Sequence, residues 1–122
     1  MIVCDIDDTL LHDGVYPIPK TIKFLNAQGQ PIVIITARPE SERDRTMIAL
    51  HKAGVKFTKL LMKRPGLTDA ASKLENVRSL QGVTLAIDNN PDMRAAYKSI
   101  GIPVLDPATI KRSSFSGQAA KA

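Results

Sequence analysis

Short apolar runs alternate along the chain with segments in which apolar residues recur every three or four positions. The runs at residues 1–6, 32–35 and 83–87 are nearly continuous and rich in branched side chains, which is typical of strands buried on both faces. Residues 57–62 and 102–105 predict two further strands. The alternation predicts a three-layer, Rossmann-like α/β fold with about five parallel strands between layers of helices.

Four intervening segments have the spacing of amphipathic helices. Their apolar positions are Ile18, Ile22 and Leu25; Met47, Leu50 and Gly54; Leu67, Ala71, Leu74 and Val77; and Met93, Ala96, Tyr97 and Ile100. Pro19 is suited to the first turn of the first helix, and Thr68 is a good N-cap for the third. These signals set where the predicted helices begin.

Length and composition indicate one globular domain with an aliphatic core. The chain has 122 residues, of which 43% are hydrophobic and only 4% aromatic. The single cysteine, Cys4, favours a reduced cytoplasmic setting, and we expect it to be buried and inert. The apolar runs are far shorter than the ~20 residues that cross a bilayer, so we expect a soluble protein with no membrane partner.

The net charge of +5 is concentrated in one part of the chain. Residues 38–64 carry eight basic and three acidic side chains, whereas the rest of the chain is balanced. A basic surface confined to one segment suits a polyanionic partner, although a solvated helix face explains it equally well at this point.

Two carboxylates follow the first predicted strand. Asp5 and Asp7 alternate along an extended chain, so both side chains are expected on one side, facing one small space. Two like charges that close together are unfavourable unless a cation or a proton is shared between them. The spacing therefore predicts Mg²⁺, which prefers carboxylate oxygens, water and phosphate as ligands.

Three further groups lie at strand ends or on the helix between two strands. Thr36 and Arg38 close the second apolar run, Lys73 lies on the third helix, and the segment from Asp88 to Asp92 closes another strand. Taken alone, each group is more simply explained as a turn residue or a helix cap. Their joint order favours a site, because open α/β sheets bind ligands at the carboxyl ends of their strands.

In this order, Asp5 with Asp7, Thr36, Lys73 and Asp88 resemble the four motifs of the haloacid dehalogenase superfamily of phosphatases, over residues 1–106. The resemblance implies a hydrolase of phosphomonoesters. Asp5 would be the nucleophile that forms an aspartyl-phosphate, and Asp7 would be the general acid and base. Mg²⁺ would be held by Asp5, Asp88 and the backbone carbonyl of Asp7.

The same resemblance assigns the phosphate contacts. Thr36, Ala37 and Arg38 would bind the phosphate, and Lys73 would neutralise charge on the transferring group. Lys63, at a neighbouring strand end, is the alternative residue for this role. We prefer Lys73 because of its offset from the preceding acid, Asp69.

Two positions depart from the common motif. The superfamily often has a second acid directly after the first in its last motif, where this chain has Asn89, so Asn89 or Asp92 would support the metal. Asp8 stands where many members carry glycine.

The chain leaves no room for the cap domain that covers many of these sites. We expect a phosphatase domain at residues 1–107 with a small flap at 11–19, followed by a flexible tail at 108–122. An uncapped site must be shielded from water by the substrate or by a partner subunit.

Within the superfamily, the segment around Thr36, Arg43, Lys63 and Arg64 is similar to the 3′-phosphatase domain of bacteriophage polynucleotide kinases. That similarity implies a nucleic-acid 3′-phosphate as substrate, with Arg43, Lys63 and Arg64 guiding its backbone. The alternatives are a small-metabolite or nucleotide phosphatase closed by an oligomer neighbour, and a non-catalytic binding module that has kept the fold. Intact Asp5 and Asp7 argue against the binding module.

Overall fold

A computed structural model of the chain describes residues 1–111, so residues 112–122 of the predicted tail lie outside the described part. Its strands are β1 (Ile2–Cys4), β2 (Leu11–His12), β3 (Tyr16–Pro17), β4 (Ile32–Ile35), β5 (Lys59–Leu61), β6 (Leu85–Ile87) and β7 (Val104–Leu105). Its α-helices are α1 (Pro19–Asn26), α2 (Arg43–Lys52), α3 (Asp69–Arg78) and α4 (Pro91–Ser99). All five predicted core strands are present, most of them shorter than their apolar runs.

Five strands form one parallel sheet in the order β5-β4-β1-β6-β7. The predicted α/β fold with a central parallel sheet is confirmed. The chain adds β4 and β5 on one side of β1 and then returns to add β6 and β7 on the other side. This order places a topological switch point at the carboxyl ends of β1 and β6, where open α/β sheets bind their ligands.

Side chains alternate between the two faces of the sheet and build a separate core on each. Ile2 and Cys4 of β1 pack in a cluster with Ile22, Leu25 and Leu50 from α1 and α2. Val3, from the same strand, packs on the opposite face with Val77, Met93 and Tyr97 from α3 and α4. The buried Cys4 thiol thus belongs to the α1 and α2 layer, as its position in the strand predicts.

Local signals fix the starts of the helices that flank the sheet. Pro19 occupies the first turn of α1. The Thr68 side chain accepts a hydrogen bond from the backbone of Ala71 and caps α3. The Asn90 side chain accepts from the first-turn backbone of α4, so the polar residue directly before Pro91 defines the start of that helix.

The predicted flap is a small antiparallel hairpin made of β2 and β3. After β7 the chain forms a short 3₁₀ helix at Pro107–Thr109, and Ile110 packs into the interior. Within residues 1–111, no helix combines the length and the apolar character that crossing a bilayer requires.

Candidate active site

A cavity of about 520 Å³ opens at the carboxyl ends of β1 and β6. Six aspartates and one lysine line it together with uncharged residues: Asp5, Asp7, Asp8, Asp69, Asp88, Asp92 and Lys73. The surplus of positive charge that the sequence carries is therefore not found on the walls of this cavity. The cavity has the charge of a site that takes a cation together with an anionic ligand.

The centre of the cavity is an ion-paired cluster of buried side chains. Lys73 Nζ donates to Asp5 Oδ1 at 2.9 Å and to Asp88 Oδ2 at 2.8 Å. Asp88 is 1% exposed, and Asp5 and Lys73 are each 7% exposed. Lys63, the competing lysine, instead pairs with Asp69 at 2.9 Å. The ammonium that reaches both strand-end carboxylates is thus the one on α3.

One ammonium does not balance two buried carboxylates. Burial raises the pKa of Asp5 to about 6; the positive charge of Lys73 opposes this shift and the negative charge of Asp88 adds to it. The same two carboxylates raise the pKa of Lys73 against the effect of burial, so the lysine is firmly charged. The cluster keeps one net negative charge when all three groups are ionised, which favours binding of a further cation.

The second oxygen of Asp5 faces polar groups from two segments, the loop after β1 and the loop after β6. Thr9 Oγ1 donates to Asp5 Oδ2 at 3.2 Å. One terminal atom of the Asn89 amide lies 2.9 Å from Asp5 Oδ2 and 3.1 Å from the backbone oxygen of Asp7. Both neighbours are acceptors, so the amide nitrogen belongs at that place and donates to both oxygens.

The residues at this end of the cavity fit a magnesium ion by their chemistry. Asp5, Asp7 and Asp88 line the same cavity and offer carboxylate and carbonyl oxygens, which are ligands that Mg²⁺ prefers. The Asn89 amide nitrogen donates hydrogen bonds to Asp5 and to the Asp7 carbonyl. Of the two candidates for metal support, Asn89 contacts this set, while Asp92 lines the outer cavity.

The Asp7 side chain turns away from the metal set. No group of three or more His, Cys, Asp or Glu side chains within residues 1–111 is arranged to hold a metal ion. Arg38 Nη2 donates to Asp7 Oδ1 at 2.7 Å and Arg38 Nε donates to Asp7 Oδ2 at 3.2 Å. Arg38 therefore holds the Asp7 carboxylate, and the Asp7 atom that shares a hydrogen-bond partner with Asp5 is its backbone oxygen.

Arg38 also ties Asp7 to the flap and to α2. Arg38 Nη2 donates to the backbone oxygen of Gly14 at 3.1 Å, and Arg38 Nη1 donates to Thr46 Oγ1 at 3.2 Å. The guanidinium side chain is only 11% exposed although it lies at the edge of the cavity. The family resemblance implies that Arg38 contacts the phosphate. In the structure, Arg38 contacts Asp7, the flap and α2.

The other two predicted phosphate contacts take different positions. Ala37 lines the cavity. Thr36 is fully buried, and its hydroxyl oxygen accepts a hydrogen bond from the backbone nitrogen of Arg38 at 3.1 Å. Thr36 thus shapes the turn after β4 that presents Ala37 and Arg38.

The three predicted substrate-binding cations surround a separate shallow cleft. Lys63 and Arg64 line it beside Glu40, and Arg43 forms a bidentate pair with Glu40 at 2.7 Å. Arg64 Nε also donates to Asn76 Oδ1 at 2.7 Å. The structure brings these basic residues together, but each already has a partner within the chain.

Two features of the site are less apparent in the sequence. Arg94 Nη1 donates to the backbone oxygen of Asp88 at 2.9 Å, and its other terminal nitrogen lies 3.4 Å from Asp106. Arg94 therefore braces the end of β6, and its place on an amphipathic helix gave no signal of this role. Asp8 has a φ of 61°, in the left-handed region that favours glycine, which explains why glycine suits this position in similar motifs.

No family profile matches the chain, and no curated protein matches its sequence. A chain of the Pnkp1/Rnl/Hen1 RNA repair complex superposes with a TM-score of 0.70 at 20% identity, over 86% of this chain and 41% of that one. The fold is shared. A chain from a second structure of the Pnkp1/Rnl/Hen1 complex gives a TM-score of 0.72 at 21% identity, over 86% and 44% of the two chains.

Proposed function

We propose that the protein is a Mg²⁺-dependent phosphomonoesterase that acts through an aspartyl-phosphate on Asp5. The observation that carries this proposal is the buried Lys73 bridge between Asp5 and Asp88, which fixes one Asp5 oxygen at the floor of an open cavity. A carboxylate nucleophile must be held in place and kept ionised next to an anionic substrate, and the neighbouring ammonium serves both needs.

In the first step, an Asp5 carboxylate oxygen forms a bond to phosphorus while the bond from phosphorus to the leaving oxygen breaks. Asp7, in its protonated form, gives its proton to that leaving oxygen. Asp7 is 51% exposed at the cavity edge and can therefore reach a group that enters from outside. For this transfer it exchanges one of its hydrogen bonds from Arg38 for one to the leaving oxygen.

In the second step, water attacks phosphorus and its proton passes to Asp7. The bond between phosphorus and the Asp5 oxygen breaks, which releases inorganic phosphate and restores the carboxylate. Lys73 lies within hydrogen-bond distance of Asp5 throughout and balances negative charge on the transferring group. Asp5, Asp88 and the Asp7 carbonyl would hold Mg²⁺, whose charge offsets the repulsion between carboxylate and phosphate.

The substrate we propose is a nucleic-acid 3′-phosphate end. Two observations support it: the fold is shared with a chain of an RNA repair complex, and Arg43, Lys63 and Arg64 cluster beside the site. The second candidate substrate is a small phosphorylated metabolite. In that case a neighbouring subunit would close the uncapped site.

The test is Mg²⁺-dependent phosphate release from p-nitrophenyl phosphate, from a 3′-phosphorylated oligonucleotide and from a mononucleotide. The Asp5→Asn variant should lose at least ~1,000-fold in kcat/KM on all three, because the amide is a poor nucleophile. Asp44→Asn is the matched control, since Asp44 is an exposed acid in the first turn of α2. Full activity of Asp5→Asn rules out the nucleophile, and equal rates on oligonucleotide and mononucleotide favour the small-metabolite reading.

A further inference from the structure

A second cleft adjoins the candidate active site and shares one residue with it. The cleft has a volume of about 430 Å³, within the range of roughly 300–1,000 Å³ typical of small-ligand sites. It lies between the flap and the start of α2, and its walls include Asp7, Asp13, Val15, Glu42 and Arg45. The shared residue is Asp7, the general acid and base of the proposed reaction.

The position of Asp7 indicates which part of a substrate enters this cleft. Asp7 is the proposed proton donor to the leaving oxygen, so the leaving group must lie within hydrogen-bond reach of Asp7. The flap cleft is the neighbouring space that Asp7 also lines. The cleft that holds Lys63 and Arg64 shares no lining residue with the active-site cavity.

The charges of the flap cleft determine what chemistry suits the leaving group. Arg38 donates two hydrogen bonds to the Asp7 carboxylate. With Asp7 ionised, the two pair, and Asp13, Glu42 and Arg45 leave the cleft one net negative charge; with Asp7 protonated, the cleft is neutral. In neither state does the cleft have the excess positive charge that attracts a further phosphate. The Arg45 and Glu42 side chains approach no closer than 3.6 Å, and both are available to a ligand because Arg45 is 75% exposed and Glu42 34% exposed.

Carboxylates in a cleft without excess positive charge are suited to accept hydrogen bonds from sugar hydroxyls. A carboxylate that binds a ribose 2′-hydroxyl is a common device in nucleotide sites. In a 3′-phosphorylated end, that hydroxyl is on the carbon next to the one that bears the leaving oxygen. It therefore enters the cleft just beyond Asp7, where Asp13 and Glu42 face the ligand.

We propose that the cleft between the flap and α2 binds the terminal ribose of an RNA 3′-phosphate end, with Glu42 and Asp13 accepting hydrogen bonds from its 2′-hydroxyl. This inference rests on the proposed phosphatase function and specifies its substrate. It adds a sugar contact to the backbone-guiding role proposed for Arg43, Lys63 and Arg64, whose cleft is separate.

The experiment compares two oligonucleotides of one sequence, each with a 3′-phosphate, one of ribose and one of deoxyribose. A site that hydrogen-bonds a hydroxyl rejects the analogue that lacks it, so wild type should favour the ribose end by ~10-fold or more in kcat/KM. Glu42→Gln and Asp13→Asn should each reduce this ratio toward one. Asp13 has a φ of 50°, which asparagine tolerates well.

Glu75→Gln is the matched control because Glu75 pairs with Arg78 at the same three-residue offset, on α3 and outside the cleft. The control should keep the wild-type ratio. A wild-type ratio near one, or a high ratio kept by both cleft variants, overturns the ribose site. Hydrolysis of p-nitrophenyl phosphate by wild type separates the two proposals. If wild type hydrolyses this compound but shows no ribose preference, only the ribose site fails. If wild type hydrolyses no phosphomonoester, the phosphatase function and the ribose site both fail.

Discussion

Replacing Lys73 by methionine tests whether the buried ion-paired cluster has the energetics that its geometry implies. Methionine keeps most of the side-chain length but removes the ammonium and its hydrogen bonds to Asp5 and Asp88, at 2.9 and 2.8 Å. Each hydrogen bond to a charged group is worth ~1.5–3 kcal/mol, and removing one partner of a buried pair costs ~3–5 kcal/mol.

The folded variant can recover part of this loss by protonating Asp5. The pKa of Asp5 is already raised to about 6 by burial, so protonation at pH 7 costs about 1.4 kcal/mol with Lys73 present and less once its ammonium is removed. We therefore expect a net loss of about 3 kcal/mol in the free energy of unfolding at pH 7, and a fall in Tm of ~10 °C. At pH 5 the loss should be smaller, because the folded state then holds a proton on Asp5 that the unfolded carboxyl releases.

The assay is urea unfolding followed by circular dichroism at pH 7 and pH 5, without divalent metal. Lys98→Met is the control, because Lys98 is exposed in the last turn of α4 and its loss should change stability by no more than ~0.5 kcal/mol. A Lys73→Met variant as stable as the control would refute the reasoning, since the two carboxylates would then not depend on the ammonium.

Two further predictions concern a buried hydroxyl on α1 and the arginine that contacts the flap. Thr21→Val should raise the free energy of unfolding by ~1 kcal/mol in thermal unfolding, because the buried Thr21 hydroxyl has no hydrogen-bond partner within residues 1–111; a loss of stability would contradict this. Arg38→Lys should speed cleavage of the flap in limited proteolysis, because lysine cannot keep the hydrogen bonds to Asp7, Gly14 and Thr46 together; unchanged cleavage would show that Arg38 does not hold the flap.

The fold and the strand-end groups could be predicted because both depend on local patterns. Continuous apolar runs predict buried parallel strands, and a run that stops at a polar residue marks the end of a strand. The groups at Asp5, Thr36 and Asp88 follow the ends of β1, β4 and β6, which are neighbours in the sheet. Their proximity therefore follows from topology.

The partners of the charged side chains could not be predicted in this way. Alternation along an extended chain puts Asp5 and Asp7 on one side, but the backbone turns after Ile6, whose oxygen accepts from Thr9, Leu10 and Leu11. The turn directs the Asp7 carboxylate to Arg38, which is 31 residues away in sequence. Pairs of this kind depend on how separate elements pack. For the same reason, the number of basic residues in segment 38–64 predicted the charge of the segment but not which surface those residues form.

The central position of β1 also governs how the chain acquires its structure. During synthesis β1 is made well before one of its two neighbours, β6, which begins at Leu85. Until then the growing chain carries an apolar strand with an open edge, a species prone to pairing with other chains. The sheet is complete, and Lys73 contacts both carboxylates, only when β6 is in place. Formation of the candidate site on refolding should therefore coincide with burial of the core.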